Sequence, residues 1–588
     1  FKNPHSEAKD LPIASYREAL VDAISQSSCL VIIGETGSGK TTQLPQYLLE
    51  AGLAKNGAIV VTQPRRIAAI SVAQRVAEEV GCEIGGTVGY EVRFDKVTTP
   101  ATKIKFVTDG CLVRECLQDN SLSKYSVIIL DEAHIRSMDT DVLFGLAKQF
   151  ITGKKNTPKL VVMSATLEHQ KFSEFFGCNV FHIPGRTFPV SITYCDAIGS
   201  KDVGTTGHAS KAVEIAMKLH CTKATGDILI FLTGRDEIEK ACKDLYNRSE
   251  KLDYRYDVTC TDVDALLILP MYGSMSTDEQ RRVFRAAPRG VRKVVLATDI
   301  ASTSLTIDGI VYVVDSGFCK QKVFNPNTGL DALRVVPISR SEASQRSGRA
   351  GRTKAGECYR LVSEEFDEMH MLDFTPPEIQ RTSLTSVVLT LKSLGIKDVL
   401  KFHYLDPPEE RMLLEALREL YYFDALDNNG DVTALGKQMG AFPLPPHLSR
   451  VVLHAAERRC EEPVLKIVSM LSVEQILIRP GNKAKQELAT ECHTQLLSAG
   501  GDDFTNLLLM YDIFDTVADP RGWCRENFVH FRAVGGARRT KQQLEQILHS
   551  KYVEGNANAT NNNNNNNNTT TTTNSSSSNS SSSNHNNN

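Results

Sequence analysis

The stretch from residue 34 to residue 43, GETGSGKTTQ, constrains the fold more than any other part of the chain. It follows an apolar run at residues 29–33 and precedes residues that can begin a helix. The spacing of Gly34, Gly39, Lys40 and Thr41 fits the phosphate-loop pattern G-x-x-x-x-G-K-[ST]. Because that pattern requires a strand before it and a helix after it, the sequence predicts a phosphate-binding loop on an α/β sheet. The alternative is a chance glycine turn.

The residue types in this loop suit a nucleoside triphosphate. Glycines let the backbone wrap closely around phosphates with its amides pointing inward, and the following helix presents its positive end to the anion. Lys40 can reach the outer phosphates, and the Thr41 hydroxyl can hold Mg²⁺. The predicted nucleotide-binding residues of the loop are Gly34, Glu35, Thr36, Gly37, Ser38, Gly39, Lys40, Thr41 and Thr42.

Short apolar runs alternate with longer amphipathic segments through residues 29–375. Near-continuous aliphatic strands separated by helices predict parallel sheets that are covered on both faces. We therefore expect two tandem α/β domains, at residues 29–178 and 179–375, after a lead-in at residues 1–28. The predicted strands are 30–33, 58–61, 104–107, 127–130 and 160–163 in the first domain, and 228–232, 266–269, 294–296 and 310–314 in the second.

Beyond residue 375 the pattern changes to helices. A PLPP sequence at residues 443–446 predicts a break between two smaller helical units, 376–442 and 443–553. Residues 554–588 are rich in Asn, Ser and Thr, and we expect disorder there because such a tract cannot bury enough apolar area to fold. Apolar side chains at helical spacing, which we interpret as core, are Leu384, Val387, Val388, Leu391 and Leu394, then Val464, Ile467, Val468 and Leu471, then Phe504, Leu507, Leu508, Tyr511 and Phe514.

Composition excludes several classes of protein. With 41% hydrophobic and 23% charged residues, the 588-residue chain is typical of soluble globular proteins, and we expect no membrane span because no apolar run is long enough. The 14 cysteines include no C-x-x-C pair, which argues against a zinc site and for a reducing compartment. A net charge of −3 gives no global attraction to nucleic acid, although local basic loops can still bind it.

Two acidic residues, Asp131 and Glu132, follow the predicted strand at residues 127–130. The carboxyl edge of a parallel sheet is where α/β proteins bind ligands. Asp131 can hold Mg²⁺ together with Thr41, and Glu132 can orient or deprotonate water, which are the functions that phosphoryl transfer needs. For a carboxylate pair alone, the alternative is a solvated turn at the end of a strand.

A basic segment, QRSGRAGR at residues 345–352, lies in the second α/β domain. Its arginines recur every three residues, so on a helix they would share one face. We predict that Arg349 and Arg352 reach across the cleft between the domains to the γ-phosphate. Such arginines contribute about 10³–10⁵ in rate where they have been measured. The alternative is a solvated basic turn.

As an ordered set, these segments resemble the motifs of the DEAH-box helicases of superfamily 2, over about residues 10–550. The resemblance implies two tandem RecA-like domains, then a mostly α winged-helix domain (376–442) and a helical-bundle ratchet domain (443–553). It also implies NTP-driven translocation on RNA. The motifs are GETGSGKT (34–41), TQPRR (62–66), TDG (108–110), DEAH (131–134), SAT (164–166), FLTG (231–234), ATDIASTSLTI (297–307) and QRSGRAGR (345–352).

The resemblance implies catalytic roles for residues of the first domain. Lys40 and Thr41 resemble the phosphate and Mg²⁺ ligands. Asp131 resembles the metal-holding acid and Glu132 the hydrolytic base, and His134 completes the catalytic motif.

Further roles follow from the same resemblance. Gln345 resembles a γ-phosphate sensor that acts with the two arginines, and Ser164 and Thr166 resemble residues that link hydrolysis to domain movement. Arg75 and Phe284 resemble the pair that sandwiches the nucleotide base, with a core aromatic as the alternative for Phe284. Stacking reads little of base identity, so loose NTP selectivity would follow.

Six residues fall in segments that grip the RNA backbone in the family. Hydroxyls and guanidiniums suit phosphate oxygens, which carry no sequence information, so we expect salt-sensitive binding of single-stranded RNA. A turn at residues 324–330 resembles the start of the hairpin that separates strands. The six residues are Arg65, Arg66, Arg93, Thr108, Thr233 and Ser304.

Three positions depart from the family pattern. Ile135 stands where Glu is usual, and Asp299 and Ser302 stand where Asn and Glu are usual. We expect activity to survive, because every direct phosphate ligand remains. From about residue 556 the chain is an Asn-, Thr- and Ser-rich tract. We therefore expect no OB-fold in residues 556–588, and either the sequence stops before the family's C-terminal OB-fold or a low-complexity insertion precedes it.

The leading hypothesis is a monomeric, ATP- and Mg²⁺-dependent RNA helicase or ribonucleoprotein remodeller of ribosome biogenesis or pre-mRNA splicing. It predicts single-stranded RNA as partner, protein activators of unknown identity, and a location in the nucleus or nucleolus, with the cytoplasm as the alternative. The competing hypotheses are a degenerate helicase that serves as an RNA-binding scaffold, and a helicase active on DNA. ATP turnover with and without RNA or DNA separates the three, since only RNA offers a 2′-hydroxyl.

Overall fold

The structure is a computed structural model, and its chain divides into two compact units. One comprises Phe1–Pro446 with Pro480–Lys485, and the other His447–Arg479 with Gln486–Asn588. The residues that the structure describes are 11–35, 37–153, 157–165, 168–185, 188–198, 207–260, 262–273, 275, 277–302, 307–325, 328–352, 354–473, 476–478, 480, 483–498 and 501–568.

Eight strands form the first sheet: β1 Cys29–Gly34, β2 Ala58–Gln63, β3 Val88–Val92, β4 Asp95–Val97, β5 Ile104–Thr108, β6 Tyr125–Leu130, β7 Lys159–Ser164 and β8 Asn179–Ile183. Their order is β4-β3-β5-β2-β6-β7-β1-β8, and all neighbours are parallel except β3 and β4. The five predicted strands are confirmed. Because β8 pairs with β1, the first domain continues to Ile183 instead of ending at the expected residue 178.

The helices of the first domain are α1 Arg17–Gln26, α2 Lys40–Glu50, α3 Arg66–Val80, α4 Asp109–Gln118, α5 Met138–Gly153 and α6 His169–Phe176. The turn from β1 into α2 depends on Gly39, whose φ is 91°. A Cβ at this position would lie 2.9 Å from side-chain atoms of both Leu11 and Ile13. Only glycine therefore satisfies both the backbone conformation and the close approach.

The second domain contains the strands β9 Val190–Ile198, β10 Asp227–Phe231, β11 Ala265–Met271, β12 Val291–Ala297, β13 Ile310–Asp315, β14 Phe318–Asn325, β15 Leu330–Pro337 and β16 Gly356–Val362. Six of them form a parallel sheet in the order β11-β12-β10-β13-β16-β9. The pair β14–β15 is the predicted hairpin. The helices are α7 Gly207–Thr222, α8 Arg235–Ser249, α9 Thr277–Val283, α10 Arg340–Ser347 and α11 Glu364–His370.

Beyond residue 375 the chain is helical, as expected: α12 Thr385–Ser393, α13 Glu410–Tyr422, α14 Ala434–Ala441, α15 Pro446–Glu457, α16 Glu461–Leu471, α17 Lys483–Ser498, α18 Asp503–Thr516, α19 Pro520–Glu526 and α20 Phe531–Asn568. Most stripe residues are shielded, but two expected core residues are not, since Leu471 is 44% and Phe504 is 58% exposed. Both lie at an end of their helix, where fewer neighbouring side chains can cover them.

Helix α20 extends into the tract for which the sequence predicts disorder. Leu548 of this helix is buried. Disorder of residues 569–588 stays a prediction, because they lie outside the described residues. None of the helices in the described part of the chain combines the length and apolarity that a membrane span needs.

Candidate nucleotide-binding site

A cavity of about 790 Å³ lies between the two α/β domains and is lined by residues of both. The first domain contributes Gly34 and Glu35 of the phosphate loop, and the second contributes Gln345, Arg349 and Arg352. The structure therefore brings the predicted loop and the predicted arginines to one crevice, although they are more than 300 residues apart in the sequence.

Lys40 lies inside the phosphate loop and is 7% exposed. Its Nζ donates to the carbonyl oxygen of Gly34 and to that of Glu35 at 2.9 Å. Burial lowers the pKa of Lys40, against the opposite effect of the Asp131 and Glu132 carboxylates. An anion at the loop would stabilise this buried ammonium group. Thr36 of the same loop lies outside the described residues.

Thr41 and Asp131, the two predicted metal ligands, are in direct contact. Thr41 Oγ1 donates to Asp131 Oδ2 at 2.6 Å, and Gln63 Nε2 donates to the same oxygen at 2.6 Å. Burial and the neighbouring charge of Glu132 raise the pKa of Asp131 to about 6. Since Mg²⁺ prefers oxygen ligands and is usually held by one or two carboxylates plus substrate phosphates, this hydroxyl–carboxylate pair fits the ion.

His134 connects the acidic motif with the SAT segment. Its Nδ1 accepts the backbone N–H of Ala165 at 3.3 Å, and its Nε2 lies 3.4 Å from Glu132 Oε2. Burial and the charge of Lys40 lower the pKa of His134 to about 4, so the ring is neutral at pH 7. Because Nδ1 accepts, the proton sits on Nε2 and faces the Glu132 carboxylate.

The backbone of this motif is unusual at Glu132, whose φ is 53°. A left-handed conformation is uncommon for a residue other than glycine and occurs often at functional sites. It aims the Glu132 side chain out of the strand direction, next to His134. Ser164 lies buried at the end of β7, and Thr166 lies outside the described residues.

The charge of Glu132 affects the pKa of both Arg349 and Arg352. Arg349 is 4% exposed, and its Nη2 donates to the backbone oxygen of Ser302. Burial and the like charge of Arg352 lower the pKa of Arg349, and burial lowers that of Arg352 to about 10. The Glu132 carboxylate acts in the opposite direction on the pKa of both arginines. The acidic motif of the first domain and the arginines of the second domain are therefore two walls that face each other.

Arg346 has a different role from the other two arginines. Helix α10 ends at Ser347, so the expectation that residues 346, 349 and 352 share one helical face is wrong. Arg346 is fully buried and pairs with Asp315 Oδ1 at 2.8 Å and with Glu342 Oε1 at 2.9 Å. It therefore holds the second domain together and does not face the crevice with Arg349.

The two residues predicted to sandwich the base each have a local partner. Arg75 Nε donates to Glu79 Oε1 at 2.6 Å, and Glu79 also accepts from Gln43 on α2 at 2.8 Å. Phe284 is partly buried and packs against the core of the second domain, as its alternative interpretation expects. The base sandwich stays a prediction.

Three predicted RNA-binding arginines lie around one edge of the first sheet. Arg65 Nη2 lies 3.2 Å from Asp299 Oδ2 of the second domain. Arg66 Nη1 donates to the Arg93 carbonyl oxygen at 3.0 Å, and Arg93 Nη2 donates to the carbonyl oxygen of Pro443. Arg65 is thus held by one of the residues that depart from the family pattern.

The predicted RNA-binding hydroxyls lie at the carboxyl ends of two strands. Thr108 ends β5, and its Oγ1 donates to Cys111 Sγ at 3.2 Å. Thr233 follows β10, and its Oγ1 donates to Glu237 Oε2 at 2.6 Å. Ser304 lies outside the described residues.

Sequence reasoning missed Arg136, two positions after the catalytic motif. It is 3% exposed, has a φ of 53°, and pairs with Asp141 at 2.6 Å and with Asp406 at 2.7 Å. Its carbonyl oxygen also accepts the N–H of Glu378 at 3.1 Å. The catalytic turn is thereby tied to residues 378–406, and no local signal could reveal partners so distant in sequence.

Comparison with known proteins agrees with this geometry. Residues 15–175 match the family described as "DEAD/DEAH box helicase", and residues 211–354 match "Helicase conserved C-terminal domain". Residues 416–444 match the winged-helix part, and residues 445–506 the ratchet-like part, of the "Helicase associated domain (HA2)".

Known RNA helicases can be aligned with most of this chain. It is 52% identical to the "Probable ATP-dependent RNA helicase DHX40" of Rattus norvegicus and of Homo sapiens, over 91% of this chain and 70% of each relative. The chain belongs to the DEAH-box family of helicases. This DEAH-box chain is also 45% identical to the "Pre-mRNA-splicing factor ATP-dependent RNA helicase prp22" of Schizosaccharomyces pombe, over 92% of this chain and 45% of that protein.

Proposed function

We propose that the chain hydrolyses ATP, or another nucleoside triphosphate, to translocate on single-stranded RNA and to unwind duplexes or remodel RNA–protein complexes. The observation that supports this most is the cavity shared by the phosphate loop and by Gln345, Arg349 and Arg352. A triphosphate there would draw the two domains together, and repeated closure and opening would move the bound strand, a hinge-type transition.

The first-domain wall binds the triphosphate. Lys40 and the loop amides take up the outer phosphates, and Thr41 with Asp131 would hold Mg²⁺. Mg²⁺ bound there would supply positive charge next to the transferred phosphoryl group. Gln63 supports this by donating to Asp131 Oδ2, which orients the carboxylate.

Chemistry at the γ-phosphate needs a base and a source of positive charge. Glu132 accepts the proton of the attacking water, and neutral His134 holds the Glu132 carboxylate in place through its Nε2–H. Arg349 and Arg352 stabilise the negative charge from the opposite wall, where Gln345 senses the γ-phosphate. The negative charge of the phosphate offsets the free-energy cost of burying both guanidiniums. Closure of the cleft between the two domains is therefore favoured only with nucleotide bound.

RNA binding is assigned to Arg65, Arg66, Arg93, Thr108, Thr233 and Ser304 through phosphate oxygens, and base stacking to Arg75 and Phe284. Such binding is independent of RNA sequence and weakens with salt. It suits a motor that moves along any strand.

For the pathway, the relative named as a pre-mRNA-splicing factor supports a role in splicing, with ribosome biogenesis as the alternative. Either role places the protein in the nucleus or nucleolus. We infer a monomer that responds to protein activators.

The direct test is steady-state ATP hydrolysis with and without single-stranded RNA. Lys40→Ala and Glu132→Gln are expected to abolish RNA-stimulated turnover and to leave RNA affinity largely intact, because neither residue is among those proposed to bind RNA. Retained turnover in either variant would refute the proposal. RNA binding without turnover in the unmodified protein would favour the scaffold.

A further inference from the structure

Two cysteines that are far apart in sequence meet at the first sheet. Cys29 is the first residue of β1, and Cys178 directly precedes β8. Their Sγ atoms lie 3.4 Å apart, across a sequence separation of 149 residues. The thiols are therefore in direct contact.

The strand register shows that this pair can be bridged with little movement. Leu30 of β1 pairs with Asn179 of the parallel strand β8, so the cysteines hold the equivalent positions one residue earlier. Neighbouring strands are about 4.8 Å apart, which falls in the range of about 4.4–6.8 Å that Cα atoms span across a disulfide.

The two thiols differ in reactivity. Cys29 is 4% exposed, whereas Cys178 is partly exposed. A hydrogen bond from Cys29, a backbone hydrogen bond from Val31 and the charge of Lys148 lower the pKa of Cys178, while the contact with Cys178 and burial raise that of Cys29. By contrast, burial raises the pKa of the Cys242 thiol to about 12. Since the thiolate is the nucleophile, Cys178 reacts first.

We propose that Cys29 and Cys178 are a modification site at which a hydroperoxide forms a reversible disulfide. The Cys178 thiolate attacks the peroxide oxygen, the O–O bond breaks, and uptake of one proton gives Cys178 sulfenic acid and, for hydrogen peroxide, one water. The Cys29 sulfur then attacks the sulfenic sulfur, the S–O bond breaks, and the thiol proton leaves with the hydroxyl as a second water. Two thiols are oxidised and one peroxide is reduced.

The position of the site fixes the consequence of the bond. It lies at the amino end of β1, whereas the phosphate loop follows the carboxyl end of this six-residue strand, about 20 Å away at 3.3 Å per residue. The bond closes a long loop and so restricts the unfolded chain. Oxidation is therefore expected to raise the thermal stability of the first domain and to leave the KM for ATP unchanged.

The test uses the whole chain, treated with a small excess of hydrogen peroxide and then with N-ethylmaleimide. Non-reducing peptide mapping is expected to show a peptide that links Cys29 to Cys178 and disappears with dithiothreitol. The unfolding temperature should rise by several degrees in the oxidised protein and return on reduction. Both effects should be absent in Cys178→Ser, a change at a partly exposed site, and persist in the matched control Cys242→Ser.

Two results would overturn the proposal. One is recovery of Cys178 after peroxide treatment only as a free thiol or as sulfinic acid, with no linked peptide. The other is a temperature shift that survives in Cys178→Ser, because the stabilisation would then have another source.

Discussion

At the scale of single residues, Arg346 and Arg349 show that the same side chain three positions apart can have opposite roles. The spacing of the motif indicated a shared face, but the helix ends between them. Where a helix ends in a glycine-rich segment is set by tertiary packing, so the sequence predicted Arg349 and Arg352 at the cleft but not that Arg346 turns into the interior of the second domain.

Arg346→Ala is expected to destabilise the second domain. Its removal leaves the buried carboxylate of Asp315 and the partly buried carboxylate of Glu342 without their cation, and breaking a buried ion pair costs about 3–5 kcal/mol. Denaturant unfolding measures the loss. The matched control is Arg248→Ala on α8, whose pair with Asp244 is exposed and contributes at most about 1 kcal/mol. Equal stability of the two variants would contradict this assignment.

Asp299 pairs with a residue that we propose to bind RNA. Because its carboxylate pairs with Arg65 across the two domains, it competes with RNA phosphates for that guanidinium. Asp299→Asn is expected to tighten RNA binding by about two- to fivefold, the range of an exposed ion pair. Fluorescence anisotropy at low and high salt measures this, with Glu50→Gln, which breaks the exposed Arg17 pair, as control. Weaker RNA binding in Asp299→Asn would count against the competition.

At the scale of elements, the aliphatic runs predict the buried parallel strands correctly. Burial on both faces of a sheet leaves few polar positions in such strands. The strands β3, β4, β8, β9 and β16 were missed, since they are short or mix polar with apolar residues. The tie from Arg136 to Asp406 was equally unreadable, because it joins segments 270 positions apart in sequence (406 − 136).

This tie is expected to couple the catalytic turn to the segment that leads into α13. Asp406→Asn removes the charge that holds Arg136 and Lys171, and coupling variants typically act by about 0.5–2 kcal/mol, or roughly two- to thirtyfold. We expect the ratio of RNA-stimulated to basal ATP turnover to fall by that factor, with basal turnover retained. Asp398→Asn, which loses an exposed pair with Lys401, is the control. An unchanged ratio would show that the tie is structural only.

At the scale of the whole molecule, two walls from different α/β domains meet at one crevice. The phosphate-loop motif and the basic segment at residues 345–352 predicted the two walls, and the arginine pattern predicted that Arg349 and Arg352 reach across the cleft. Only the structure shows Gly34 and Arg349 lining the same cavity, because the packing of one sheet domain against another has no local sequence pattern.

The most direct test of the central claim is the rate of RNA-stimulated ATP hydrolysis in Arg349→Ala and Arg352→Ala, with Arg248→Ala on α8 as control and thermal unfolding as a check on the fold. If both arginines act on the γ-phosphate from the second wall, turnover falls by about 10³–10⁵ in folded protein, while the control keeps its rate. Folded variants that hydrolyse ATP at the rate of the unmodified protein would contradict the account.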